Sequence, residues 1–321
     1  MKCLKLCSLA IVLLGLSLQM SAQTLQESIE ARNRGAELMS NGDIEGAIAE
    51  LEKCIEISKQ AGTEADENRE TAELAIPGLY LQKADKILDT KDYDAALKAF
   101  EEVIAVAEKY NNQDVKKKAE KPLPDIYYAI GATAFQKNDA ATALKNLDLA
   151  TARDADYAKA YYVKGAIYQK QQNEAQMSEN YRLAVEKADL ANDKKTAKSA
   201  KDALSRYFYN QGIKAMQEKR YDAAITAFGK TIEADETFSD AYYRTASCYN
   251  VKKSWDLAVT HAEQALQYKA DGEKDGIYFE LGNAYLGKKD SAKACEAFKQ
   301  VKSDPYVANA KYQIETVLKC K

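Results

Sequence analysis

The side chains that could do chemistry are few and do not form a recognisable set. His261 is the only histidine, and no Ser/His/Asp arrangement can be assembled around it, so we expect it to be a surface residue. There is no glycine-rich phosphate loop, and no carboxylates are distinguished by their spacing. Because catalysis needs convergent groups, the sequence predicts a chain that is not an enzyme and that uses no metal or cofactor.

Cysteine usage gives no metal or redox motif. Beyond residue 22 the chain has Cys54, Cys248, Cys295 and Cys320, and no C-x-x-C occurs. In an oxidising compartment these four allow several pairings, and the sequence cannot choose among them. We favour single buried or surface thiols over disulfides.

The N-terminus has the layout of a secretory signal peptide over residues 1–22. Lys2 and Lys5 precede the apolar run Ser8–Leu18, and cleavage is expected after Ala22. The run is too short to span a bilayer. The stretch "MSAQ" resembles exported proteins of Bacteroidetes-type bacteria. These features predict export to the periplasm or beyond, with outer-membrane association left open.

Charge argues against a nucleic-acid partner. The chain has 46 basic and 49 acidic residues, and two of the basic ones, Lys2 and Lys5, lie in the expected leader. A mildly acidic protein is poorly suited to binding a phosphate backbone. Beyond the leader, no segment is apolar enough to predict a transmembrane span.

Composition and periodicity predict an all-helical chain. Alanine, leucine, lysine and glutamate are abundant, proline occurs four times, and no long stretch alternates with period two.

Self-comparison of the sequence reveals an internal repeat. An aromatic residue, usually followed by a second one, precedes a small residue by four positions. The pairs are Tyr80/Ala84, Tyr127/Gly131, Tyr161/Gly165, Phe208/Gly212, Tyr242/Ala246 and Tyr278/Gly282, with a degenerate copy at Ala31/Gly35. Further along each copy comes a bulky residue: Leu51, Phe100, Leu147, Tyr181, Phe228 and Phe298, with Ala262 the exception. Small and bulky positions at helical spacing predict two antiparallel helices that interlock.

This pattern resembles the tetratricopeptide repeat, best in Ser205–Phe238 and Asp275–Lys302. The family's proline is absent, and its turn glycine survives only as Gly42. The resemblance implies an all-α, right-handed superhelical solenoid of about seven helix–turn–helix repeats. It would form a single domain over residues 23–321, with repeats starting near residues 28, 77, 124, 158, 205, 239 and 275 and a capping helix over 306–321.

Three repeats exceed the family's 34-residue period. The additions lie at residues 61–75, 111–122 and around 191–202, and they contain helix formers, which predicts extensions of the flanking helices by one to two turns. Thr63 and Asp66 are interpreted as a capping box. Pro77, Pro122 and Pro124 are expected to mark kinks or helix starts.

The second aromatic of each pair begins another stripe on the first helix. In the family this face lines a concave groove, so the resemblance implies that partners contact it. The aromatic positions are Tyr128, Tyr162, Tyr209, Tyr243 and Phe279, and the polar candidates on the same side are Asn210, Arg244, Asn250 and Asn283. The alternative is that these aromatics fill the seam between adjacent repeats with their hydroxyl groups exposed.

These features favour a periplasmic scaffold that binds an extended protein or peptide segment in the groove. A glycan-binding or polysaccharide-export scaffold is the alternative, because aromatic faces also stack on sugars. Self-association through the same groove is a third hypothesis.

Overall fold

The computed structural model describes residues 22–269 and 274–320. Apart from Ala22, the expected signal peptide lies outside these residues. The described ranges contain helices and turns and no β-strand, which confirms the all-α class. No helix in those ranges combines the length and the apolar character needed to cross a membrane. The chain divides into two compact units between Ala155 and Asp156, so the expectation of a single solenoid domain stays a prediction.

The first unit consists of consecutive helices joined by short turns. They are α1 (22–40), α2 (Ile44–Ala61), α3 (Asp66–Asp89), α4 (Tyr93–Lys109), α5 (Gln113–Glu120), α6 (Leu123–Gln136) and α7 (Ala140–Arg153), with a 3₁₀ turn at Gly62–Ala65.

The second unit continues in the same way. Its helices are α8 (Ala158–Lys170), α9 (Glu174–Leu190), α10 (Lys194–Gln217), α11 (Tyr221–Ala234), α12 (Ser239–Val251), α13 (Trp255–Tyr268), α14 (Asp275–Gly287), α15 (Ser291–Lys299) and α16 (Val307–Tyr312), followed by a π-helical turn at Gln313–Val317.

The interlocking of small and bulky residues is present where the sequence predicts it. A Cβ atom added to Gly165 would lie 2.7 Å from Tyr181, and one added to Gly282 would lie 2.6 Å from Phe298. The same relation joins Gly35 to Leu51, Gly131 to Leu147 and Gly212 to Phe228. Because only glycine fits at this distance, these contacts set the spacing between the two helices of a repeat.

The turns between paired helices explain why the glycine of the family can be absent. Gly42 has φ +78°, and the equivalent positions in later turns are Lys91, Asn138, Gln172, Lys219, Lys253 and Lys289, with φ between 57° and 62°. In most turns an aspartate or asparagine follows and caps the next helix. For example, Asp92 accepts a hydrogen bond from the backbone N–H of Ala95. The cap and the helix contacts hold these residues in a left-handed conformation that costs them roughly 1–2 kcal/mol each.

The added segments differ in outcome. Residues 191–202 include the start of α10, which is 24 residues long, as expected for a helix extension. The extension expected for 111–122 is wrong: Asn111 has φ 55°, and Asn112 caps a separate helix, α5. The Thr63/Asp66 capping box is also wrong, because Thr63 lies in the 3₁₀ turn and α3 begins without a side-chain cap.

The prolines occupy different positions in their helices. Pro77 lies buried inside α3, whereas Pro122 is the N-cap residue of α6 and Pro124 lies in its first turn. Only the second pair marks a helix start.

The expectation of single thiols holds for Cys54 and Cys248, which are buried and free. It is wrong for Cys295 and Cys320, which form a disulfide with their Cα atoms 5.9 Å apart. The chain after α16 turns back toward α15 and brings Cys320 to the second helix of the last repeat. Ala310 of α16 is buried, and Ile314 and Leu318 of the following segment pack against the core.

Candidate binding face

The second-aromatic positions of the second unit lie on its first helices. Tyr162, Tyr209, Tyr243 and Phe279 belong to α8, α10, α12 and α14, and all four are half-buried. We call this surface the first-helix face. Tyr128 is half-buried on α6 of the first unit; the other eight predicted site residues belong to the second unit.

Three of these aromatic rings pack on the bulky residue of their own repeat. Ring centroids are 5.8 Å apart for Tyr162 and Tyr181, 5.6 Å for Tyr209 and Phe228, and 5.7 Å for Phe279 and Phe298. Tyr209 also lies 5.1 Å from Phe238, the last residue of the same repeat. These contacts lie within a repeat rather than between adjacent repeats, and each ring keeps part of its surface exposed.

Tyr243 is different because its repeat has Ala262 at the bulky position. Its hydroxyl group instead lies 2.9 Å from that of Tyr306, and Gly276 leaves the space for it. Burial, together with this hydrogen bond, raises the pKa of Tyr243. The ring therefore stays neutral and fixed.

Arg244 joins two of the aromatic positions. Its guanidinium carbon lies 4.7 Å from the ring centre of Tyr243. Its side chain also interacts with that of Tyr209. Its Nε atom is buried without a hydrogen-bond partner. The structure thus brings three predicted site residues into one cluster.

Asn210 lies in an open cleft of about 400 Å³ between α8 and α10, which we call the α8/α10 cleft. Its lining includes Gln169, Tyr207 and two cations, Arg206 and Lys214. Sequence reasoning missed both cations. Their signal is the spacing Arg206–Asn210–Lys214, which places the three residues on one face of a helix.

Asn250 and Asn283 lie together in a second cleft of about 470 Å³, which we call the α12/α14 cleft. Its other lining residues are Ser247, Val251, Trp255, Glu280, Leu286 and Gly287. Asn250 Nδ2 donates to the backbone oxygen of Glu280 at 2.8 Å and to its carboxylate at 2.7 Å. Sequence reasoning missed Trp255 and Glu280; the signal available was that Trp255 is the chain's one tryptophan.

Two residues of chemically reactive types, His261 and Cys248, lie in the second unit. His261, expected at the surface, is half-buried, with the rings of Tyr242 and Tyr249 at centroid distances of 6.0 and 5.4 Å. Burial raises the pKa of the Cys248 thiol to about 12, which keeps it protonated. Within the described ranges, no group of three or more His, Cys, Asp or Glu side chains could hold a metal ion.

Comparison with known families identifies the repeat. Models described as "Tetratricopeptide repeat" match residues 33–60, 158–186, 209–275 and 276–303. No curated protein matches the chain.

Several solved structures are similar at low identity. The MamA protein is 19% identical, with 61% of this chain and 96% of MamA covered and a TM-score of 0.32. PilF of Pseudomonas aeruginosa is 14% identical, with 75% and 97% covered and a TM-score of 0.32. A tetratricopeptide repeat protein from Parabacteroides merdae is 14% identical, with 90% and 98% covered and a TM-score of 0.29.

Proposed function

We propose that this chain, which contains tetratricopeptide repeats, is a non-enzymatic interaction scaffold of the cell envelope. An extended protein segment would bind along the first-helix face of the second unit. The residues we assign to binding there are Tyr162, Tyr209, Asn210, Tyr243, Arg244, Asn250, Phe279 and Asn283, with Tyr128 as a further contact in the first unit.

The observation that carries the proposal is the combination of side chains on the first-helix face. The first helices carry partly exposed aromatic rings and two open clefts, and these clefts contain Asn210, Asn250 and Asn283. Aromatic rings supply rigid apolar contact area, and amides can donate to and accept from a peptide backbone. An elongated set of such sites suits an extended partner better than a small molecule.

The proposed location rests on residues 1–22 and on the disulfide between Cys295 and Cys320. Disulfides persist in oxidising compartments such as the bacterial periplasm. Cell fractionation and N-terminal sequencing of the mature protein test this part. A cytosolic protein that retains Met1 would contradict it.

A capture experiment tests the scaffold. Residues 23–321 are immobilised as the native form and as an Asn210→Ala/Asn283→Ala form, because neither amide lies in the buried core. The matched control is Gln300→Ala/Asn309→Ala, which changes two exposed amides that do not lie on the first helices. Circular dichroism first establishes equal helicity. Envelope extract is then passed over all three forms, and retained proteins are identified by mass spectrometry.

We expect a protein held by the native and control forms and lost by the Asn210→Ala/Asn283→Ala form. Equal retention by all three forms would contradict binding at this face. Retention of polysaccharide instead of protein would favour the glycan-binding alternative.

A further inference from the structure

The α12/α14 cleft contains a carboxylate that lacks a cation. Neighbouring acids are paired across repeats, as Asp222 is with Lys252 and Asp256 with Lys288. Glu280 has no Lys, Arg or His nitrogen within 4.0 Å among the described residues. Its carboxylate accepts a hydrogen bond from the amide of Asn250. A negative charge therefore lines this cleft with further acceptor capacity.

Asn250 adds a second acceptor. Its Nδ2 atom faces two oxygens of Glu280, which fixes the orientation of the amide because only the nitrogen can donate to both. The opposite atom, Oδ1, is buried without a hydrogen-bond partner. An unpaired buried acceptor costs free energy, and a donor that enters the cleft recovers it once the Asn250 side chain shifts toward the opening.

The walls of the cleft are apolar. They are formed by Val251, which is 54% exposed, and by the half-buried side chains of Trp255 and Leu286. Gly287 lets the indole of Trp255 pack directly against the backbone of α14, since a Cβ atom at this position would lie within 3.0 Å of the ring atoms. The cleft thus offers apolar walls together with two acceptor groups, one of them charged.

We propose that the α12/α14 cleft binds an arginine side chain of the extended partner segment. The aliphatic stem would lie against Val251, Trp255 and Leu286 while the guanidinium donates to Glu280 and Asn250. Arginine matches because its head has five N–H donors and no acceptor, so it can satisfy a carboxylate and an amide oxygen at once. This inference rests on the proposed scaffold function and gives its partner a chemical character.

Trp255 provides a direct readout because it is the chain's one tryptophan. Residues 23–321 are titrated with a blocked peptide that carries one arginine among glycines and serines. The comparison peptide has citrulline at that position, which keeps the shape and removes the charge. We expect a saturable change in tryptophan fluorescence with arginine and an affinity about tenfold or more lower with citrulline.

Two variants place the effect at the cleft. Glu280→Gln removes the charge with little change in size, and we expect it to weaken the arginine peptide to the level of citrulline. Glu296→Gln makes the same change at an exposed site on α15 and should leave the affinity unchanged. Circular dichroism and urea unfolding must show that both variants fold.

Equal binding of the two peptides, unchanged affinity in Glu280→Gln, or no saturable signal would each overturn the proposal. A signal with neutral oligosaccharide and none with arginine would reassign the cleft to carbohydrate. A signal that depends on protein concentration alone, with a rise in mass by light scattering, would reassign it to a second copy of the chain.

The capture experiment keeps this inference separate from the scaffold function. If Glu280→Gln still captures the partner that the Asn210→Ala/Asn283→Ala form loses, the scaffold stands and the arginine assignment fails. If no form captures a protein while the arginine peptide still binds, the arginine assignment stands and the scaffold function fails.

Discussion

The hydroxyl oxygens of Tyr243 and Tyr306 lie 2.9 Å apart although 63 positions separate these residues in the sequence. Tyr243 lies on α12 and Tyr306 directly precedes α16, and Gly276 of α14 leaves the room between them. The ring of Tyr306 also lies 5.3 Å from that of Phe279. Through this hydrogen bond and this ring contact, Tyr306 joins the C-terminal segment to α12 and α14 at two aromatic positions of the first-helix face.

The Tyr306→Phe substitution tests the hydrogen bond between Tyr243 and Tyr306. It should lower the free energy of unfolding by about 1 kcal/mol, because the buried hydroxyl group of Tyr243 loses its partner. Urea unfolding followed by circular dichroism measures the change. Tyr312→Phe is the control, since Tyr312 is 57% exposed. An equal effect of the two substitutions would show that the hydrogen bond contributes nothing.

Two glycine-to-alanine changes should have opposite signs. Gly165→Ala would place a Cβ atom 2.7 Å from Tyr181 and should destabilise the chain by roughly 1–3 kcal/mol through overpacking. Gly229→Ala, with no atom within 4 Å of the new Cβ, should stabilise α11 by up to about 1 kcal/mol through helix propensity. Thermal unfolding distinguishes them. Stabilisation by both would mean that the helices of the repeat can separate at little cost.

His261 should make stability depend on pH. Burial lowers its pKa below the ordinary value of 6.5, so the folded state keeps the ring neutral where the unfolded chain takes up a proton. The stabilising contribution is complete above pH 6.5 and is lost as the pH falls through the folded-state pKa.

His261→Phe keeps an aromatic ring beside Tyr242 and Tyr249 and removes the titration. Urea unfolding at about pH 7.5 and about pH 5.5 compares the two proteins. We expect the native protein to lose more of its free energy of unfolding over this interval than the variant does. Parallel losses would assign the pH dependence to other groups.

The disulfide should stabilise the end of the second unit. Cys295 and Cys320 close a loop with a sequence separation of 25, for which the loss of unfolded-state entropy corresponds to about 3.5 kcal/mol. A reductant should therefore lower the melting temperature of the native protein and leave that of Cys320→Ser unchanged. If the reductant shifts both equally, the effect does not come from this bond.

The repeat itself could be predicted because its signal is local and recurs. Gly165 and Tyr181 stand in the same register as Gly282 and Phe298, and close approach of two helices requires that pairing of small and bulky residues. The separate helix α5 escaped prediction because Asn111 adopts a left-handed conformation, which helix-forming neighbours do not reveal.

The candidate site was predictable only in part. Asn250 and Asn283 follow from the stripe that begins at the second aromatic, and the structure places both in one cleft. Glu280 lies one position beyond Phe279 and Trp255 lies in the first turn of α13, so neither belongs to the stripe. The disulfide and the burial of His261 depend on which segments meet in three dimensions, and single-sequence periodicity does not contain that information.

The turn lysines Lys91, Lys219, Lys253 and Lys289 have a practical consequence for engineering. All four are exposed and have positive φ, so replacement by glycine should relieve strain of roughly 1 kcal/mol at each position. The higher urea midpoint of such a quadruple variant would provide a robust background. In that background, substitutions on the first-helix face that weaken the fold could be measured as losses of binding, without loss of the protein.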